Sequence, residues 1–380
     1  MDQTGALAFA RPTTPAARTL HLLRQGKPLT RASIVESTGL SQPTITRAVT
    51  NLINAGFAQE RPDLATKRTR GRPTIPVDMP RVPTLFAGIA IGTTDHFLGI
   101  YSVHGTRVHG TPVRIPVADM TPRDFFAALS TALHDTLAAG QYTIAALGVT
   151  TSGRVLNDGT VDAPNLGWEA VPAADLLREH VNVPVSISGA VPAILGSEIH
   201  STELTRLETT NTLALFADDS LSAAVTTDDG AWQIRTLPAV TSEALGLRDN
   251  APETSLNTDG FLAHVRRTGL PAPSLQALVK SAETTPRARA VLDERGTLLA
   301  RLTAELIARY QPSTVVLAGS TFTEDKGTTK AFSQAIRQVV DTVPELRLIP
   351  THNEIVQAIA RAAALDPVLR DPLRFPVLNR

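Results

Sequence analysis

The sequence predicts an α/β protein in two parts, a small helical head and a larger body in which one α/β layout occurs twice. Three observations predict it. The first 57 residues hold three short helical periodicities separated by turns that carry Gly or Pro. Beyond the Pro-punctuated segment "PVDMPRVP", apolar runs follow in the order strand, strand, strand, helix, strand, and similar elements recur later in the chain. Charge divides along the same line. Residues 1 to 75 hold 11 Lys/Arg against 4 Asp/Glu and the remainder 25 against 32, although the whole chain is formally neutral. A basic head on an acidic body implies that the head meets a polyanion while the body does something else.

Length and composition exclude several classes. At 380 residues and 42% hydrophobic side chains the chain can bury more than one core, so disorder is not its main state. No run of about 18 uncharged apolar residues occurs, and the opening "MDQTGALAFARPTT" lacks the parts of a signal peptide. The expected location is the cytoplasm, in association with the nucleoid, with no membrane partner. The chain has no cysteine, which removes disulfides, thiolate metal sites and thiol nucleophiles.

In the head, Ala17, Leu20, Leu22 and Leu23 mark a first helix that stops at Gly26 and Pro28. Thr30 suits the N-cap of a second, "RASIVEST", which closes at Gly39. Ser41 caps a third, with Pro43 in its first turn. Two short helices joined by "TGLS" form a helix-turn-helix, whose second helix enters a major groove by its N-terminal residues. On that helix Ile45, Val49, Leu52 and Ile53 share one face, leaving Ser41, Gln42, Thr44, Thr46 and Arg47 as candidate DNA contacts. Arg pairs with guanine, Gln with adenine, and Thr offers a hydroxyl and a methyl. A wing is expected next, its tip and exit carrying Lys67, Arg68, Arg70, Gly71 and Arg72; an extended Arg-Gly-Arg-Pro suits a narrow minor groove.

In the body, "TLFAGIAIG" and "HFLGIYSV" read as strands, "HGTRVHGTPVRIPV" as a hairpin arm, "DFFAALSTALHDTLAAG" as a helix and "IAALGVTTSG" as a buried strand. "TNTLALFADD", "SLSAAVTTD", "AWQIRTL", a helix-rich block over 275–310 and "STVVLAGS" repeat the order. Two such halves imply a duplicated fold with a central cleft.

These stretches resemble the ROK (repressor, open reading frame, kinase) transcriptional regulators. The head segment "LTRASIVESTGLSQPTITRAVTNLINAGF" with "GRP", and "VLNDGTVDAPNLGWEAVPAADLLREHVNVPVSI" in the body, are similar to that family over nearly the whole chain. The resemblance implies an α/β protein with an N-terminal winged helix-turn-helix (1–75), a linker (76–83) and an actin/hexokinase-like duplicated α/β domain with a central cleft. Its subdomains would cover 84–200, with a helix at 353–369 returning to it, and 201–352. It also shows where this chain departs from the kinases. Their first phosphate loop, Asp-Ile-Gly-Gly-Thr, is replaced by Ala90-Ile91-Gly92-Thr93-Thr94, and their catalytic Asn-Asp by Ser188-Gly189. A hydroxyl acceptor needs a carboxylate that glycine cannot replace. "ADDSLSAA" brings Asp218 and Asp219 where a second phosphate loop is expected, and these would repel phosphate. The family's zinc cluster finds no ligand spacing over 243–259, and His104 and His109 read as surface or hydrogen-bonded residues. No catalytic residue, metal or cofactor is expected.

What the body retains is a site for an effector. Asn165 matches a position that bonds a sugar hydroxyl in the family, although a turn role explains it nearly as well, and Trp168 beside it reads as packing. Ser188 stands at the lost catalytic pair, and Glu243 matches the glutamate of a segment whose histidine is absent. The expected partners are a double-stranded DNA operator, palindromic because a homodimer reads two half-sites, and a small-molecule effector. A non-sugar metabolite or a protein partner fits the effector equally well; a sugar kinase with an extra domain is the disfavoured enzyme reading.

Overall fold

The computed structural model describes residues 9–65, 74–81, 83–93, 95–156, 158–207, 210–226, 234–236 and 256–375. The chain divides into two compact units, Met1–Thr209 with Gln357–Arg380, and Thr210–Val356.

The head opens with α1 (Pro15–Leu23), α2 (Arg31–Thr38) and α3 (Gln42–Asn54). Each begins where a hydroxyl satisfies an otherwise open N–H: Thr14 accepts from Ala17, Thr30 from Ser33, Ser41 from Thr44. Gly39 ends α2 at φ 66, a left-handed turn that lets α3 start three residues later. The strands β1 (Gln59–Glu60) and β2 (Val77–Asp78) pair antiparallel, and Leu29 bridges Val77, which completes a wing base. Thus β2 lies inside the stretch read as linker. Leu20, Ile34, Ile45, Val49, Leu52, Phe57 and Val77 are fully buried as the core of the head. Ile53 is only half-buried and Ala48 is buried instead. At 100° per residue Ile53 lies about 80° around from Ile45, at the margin of the stripe.

The first body half contains β3 (Leu85–Ile91), β4 (Asp95–Ser102), β5 (Arg107–Arg114), α4 (Pro122–Gly140), β6 (Ile144–Thr151), a small sheet of β7 (Arg154–Val155), β8 (Val161–Ala163) and β9 (Trp168–Val171), then α5 (Ala173–Arg178), β10 (Val185–Gly189), α6 (Ala190–Ser201) and α7 (Leu204–Leu207). The main sheet runs β10-β6-β3-β4-β5, parallel among the first three and antiparallel beyond. Phe125, Phe126, Leu129 and Leu133 of α4 share one core with Ile89, Leu147 and Val149 of the sheet.

The second unit repeats the plan. It holds β11 (Thr212–Ala217), β12 (Leu221–Thr226), β13 (Ile234–Thr236), α8 (Thr258–Arg267), α9 (Leu275–Ala282), α10 (Pro286–Tyr310), β14 (Thr314–Ala318), α11 (Ser320–Thr323), α12 (Lys326–Val339) and β15 (Glu345–Leu348). Its sheet, β13-β12-β11-β14-β15, has the same senses of pairing as the first. The expected duplication is therefore present strand for strand. The helix-rich block over 275–310 is two helices, parted before Pro286 because the residue preceding a proline is pushed out of helical geometry. Thr285 accordingly sits at φ −113, ψ 104.

The last long helix, α13 (His352–Arg370), returns from Gln357 onward to the first unit. It lies directly on the sheet, because Gly88 of β3 and Gly148 of β6 leave it room. A Cβ at either would stand 2.0 Å from a backbone carbonyl of α13, that of Ala360 or Ala363.

Candidate nucleic-acid interface and effector site

The outward side of α3 is built by its buried side. With Ile45, Ala48, Val49 and Leu52 turned into the core, Gln42, Thr46 and Thr50 form one exposed row and Arg47 and Asn51 another. Ser41 is exposed and Thr44 half-buried; their hydroxyls bond each other at 2.8 Å. Thr46 donates to the Gln42 carbonyl at 2.9 Å and Thr50 to that of Thr46 at 2.9 Å. Both threonines are exposed, and among the described residues nothing engages the Gln42 amide or the Arg47 guanidinium. Thr50 and Asn51 extend the candidate surface; only the burial of Ala48 and Val49 reveals them. Beside the wing, Arg61 is already occupied by Asp63 and Asp78, each at 2.6 Å. Lys67, Arg68, Arg70, Gly71 and Arg72 lie outside the described residues.

In the body, the structure brings Asn165 and Ser188 to the same end of the first sheet. Ser188 and Gly189 close β10, paired in register with Thr150 and Thr151 at the end of β6. The chain continues into Ser152, whose hydroxyl bonds the exposed Asn165 amide at 2.9 Å. Gly153 folds back so that its carbonyl stands 3.5 Å from where a Gly189 Cβ would lie. Ser188 is largely buried, and the Thr150 and Thr151 hydroxyls are buried with no hydrogen-bond partner among the described residues. Trp168 packs against Phe125 and Phe126, with ring centroids at 5.5 and 5.3 Å. Glu243 lies outside the described residues.

The two stretches that the resemblance matches to phosphate loops carry internal partners that the sequence does not announce. At the first, the Gly92 N–H donates to His96 Nδ1 at 3.2 Å, and His96 Nε2–H donates to the Ile115 carbonyl at 2.8 Å. Burial lowers the His96 pKa, against the bond to Ile115 and the charge of Asp95, so the ring is neutral. A phosphate cradle needs open backbone N–H groups, and this one is occupied. In the second unit, Asp218 accepts from the Ser320 N–H at 3.0 Å and from its hydroxyl at 2.7 Å. A carboxylate of the chain thereby sits at the start of α11, beside the Gly319 turn. The Asp218 carboxylate thus takes up these donors itself. His104 bonds the Pro80 carbonyl at 3.2 Å, and the His109 ring lies 6.1 Å from that of Tyr142. Among the described residues no group of three or more His, Cys, Asp or Glu side chains is placed to hold a metal ion. No helix among them is long and apolar enough to cross a membrane.

No family model matches the chain. Curated transcriptional regulators of Mycobacterium bovis and Mycobacterium tuberculosis are each 29% identical to it over 388 residues, covering 94% of this chain and 86% of the relative. Among solved structures, a ROK family transcriptional regulator, homolog of the Escherichia coli MLC protein, superposes with a TM-score of 0.73 at 17% identity, covering 94% of this chain and 98% of that one. A ROK hexokinase from Thermus thermophilus superposes at 0.60 and 17% identity, over 75% of this chain and 99% of its own. A ROK glucokinase from Streptomyces griseus gives 0.56 at 16%, over 74% and 99%. The fold is that of ROK proteins, and the regulator covers the head as well as the body. The resemblance read from the sequence is borne out.

Proposed function

We propose that this chain, with the fold of a ROK regulator and transcriptional regulators among its relatives, binds DNA in a sequence-specific way and regulates transcription. The observation that carries this reading is the outward face of α3. It starts from a left-handed Gly39 turn and presents Gln42 and Arg47 unengaged, beside a paired wing base. Gln42, Thr44, Thr46 and Arg47 read base edges, Ser41 positions the helix, and Lys67, Arg68, Arg70, Gly71 and Arg72 serve the backbone and minor groove. The operator is palindromic and is met by a homodimer. Selection of duplexes from a random pool tests this. The parent is expected to enrich one motif with two half-sites, and Arg47→Ala to lose discrimination at one base position, worth about 1–3 kcal/mol. An Arg47→Ala variant with the parent's motif and affinity would overturn the docking.

The body is the effector domain. Asn165 and Ser188 contribute neutral hydrogen-bonding groups, and Glu243 is carried from the sequence as a third candidate. A small metabolite, sugar or not, is the proposed effector, in a body without catalytic residues, metal or cofactor. The occupied Gly92 N–H, the Ser188-Gly189 pair and the Asp218 carboxylate at α11 support an inactive kinase domain. ATP-dependent phosphorylation of a hexose by the purified protein would refute that part.

A further inference from the structure

The head is held to the body half of its own unit by a joint centred on Phe9. The Phe9 ring is fully buried on α6, so close to Gly196 that a Cβ there would stand 2.2 Å from it. The ring centroid is 6.4 Å from that of His200 on the same helix. The Phe9 N–H donates to Asp366 of α13 at 2.9 Å, and Asp366 pairs with Arg370 at 2.9 Å. Phe9 takes φ 64, a conformation that bulky side chains resist, so these contacts are what hold it there. Two further side chains of the head reach the same region. The His21 ring bonds the Thr202 carbonyl at the end of α6 at 2.8 Å; Arg24 donates to Val103 at 2.9 Å and to His200 at 3.4 Å.

The other end of α6 begins at Gly189, directly after Ser188. Twelve helical residues span about 18 Å. One rigid helix therefore has an end at the candidate effector residues and its far half in the grip of the head.

We propose that α6 is the strut that couples the effector end of the first sheet to the DNA-binding head, and that Phe9 is its latch. A ligand that displaces Ser188 and Gly189 moves α6, and the head registers the movement at Gly196, His200 and Thr202. This rests on the effector reading above for the input, whereas the latch stands on the joint alone.

Gly196→Ala tests the latch without touching α3 or Ser188, since the added methyl must expel the Phe9 ring. Hydrogen exchange of the α1 amides and affinity for a duplex selected by the parent are the readouts. Gly196→Ala and Phe9→Ala are each expected to speed α1 exchange by about tenfold or more, with β3 and β6 protected as in the parent. The double variant is expected to be no worse than Phe9→Ala alone, because the ring that clashes is gone. Ser188→Trp, a wedge at the input end, is expected to change duplex affinity by about fivefold or more with Phe9 present and not in the Phe9→Ala background. Parent-like α1 exchange in Phe9→Ala overturns the latch, and it decides the matter should Gly196→Ala fail to fold. A Ser188→Trp effect that ignores Phe9 overturns the strut. A parent protein that selects no duplex defeats the regulator reading instead, and the exchange measurement still judges the latch.

Discussion

His21 and His200 show how single side chains set the response of the joint to pH. Burial pulls the His21 pKa down to about 4, against the bond to Thr202 and with Arg24 adding repulsion. Burial also holds His200 well below the ordinary value, with Arg24, His21, Arg361 and Arg370 acting in the same direction. Both are neutral in the fold and charge more readily when unfolded, so their sites are stable above the unfolded value of about 6.5. That stability is lost as pH falls through about 4 for His21. Urea unfolding is expected to show stability falling as pH drops from about 6.5 toward about 4 by roughly 2–3 kcal/mol per pH unit while both histidines contribute, and about half as steeply in His21→Gln. Gly148 gives a second residue-scale prediction. A methyl there meets the Ala363 carbonyl at 2.0 Å, where only backbone can give way, so Gly148→Ala is expected to cost about 3 kcal/mol in the same assay.

Among the elements, α12 is capped by a side chain that also carries an ion pair. Asp325 caps it by accepting from Gly327 and Thr328, and pairs with Arg289 at 2.6 Å. Burial alone would raise its pKa, but Arg289 and Thr328 outweigh that and bring it down to about 2. The sign is opposite to that of a group whose pKa is raised: the contribution is complete above about 4 and lost as pH falls through about 2. Asp325→Ala removes the cap and leaves Arg289 with Asp293 as its ion-pair partner, so a loss of about 2 kcal/mol is expected at pH 7, shrinking on acidification. Caps of this kind were legible in the head, where Thr30, Gly39 and Ser41 announce helix ends by residue type. The break at Pro286 is written in the same way, since a proline opens α10 and keeps Thr285 out of it. Thr50 and Asn51 were not legible, because the edge of a helical stripe is set by what packs on it.

At the scale of the whole molecule, zero net charge conceals the asymmetry that a polyanion would meet. DNA affinity is expected to fall steeply with salt, and Arg72→Ala to lower the slope of log K against log salt by about 1 while leaving the preferred motif unchanged. A filter-binding titration over several salt concentrations checks both. The duplicated sheets bear on the same question of function. In each half a side chain takes up a backbone N–H at or beside a stretch that the resemblance matches to a phosphate loop, His96 that of Gly92 and Asp218 that of Ser320, in a fold that its structural relatives share with sugar kinases.

By itself the sequence determined the order of elements, the duplication, the helix-turn-helix with its polar face, and which residue types stand at Ala90 and at Ser188-Gly189. Each depends on local periodicity, on capping chemistry or on a residue being present or absent, and such signals are confined to a few neighbouring positions. Only the tertiary structure decided that Gly92 is closed by His96, that Asp218 holds α11, that Asn165 and Ser188 share one sheet end, and that Phe9 is seated on α6. Those partners lie from four to nearly two hundred residues apart along the chain. Their pairing depends on sheet register and helix packing, which no local pattern encodes.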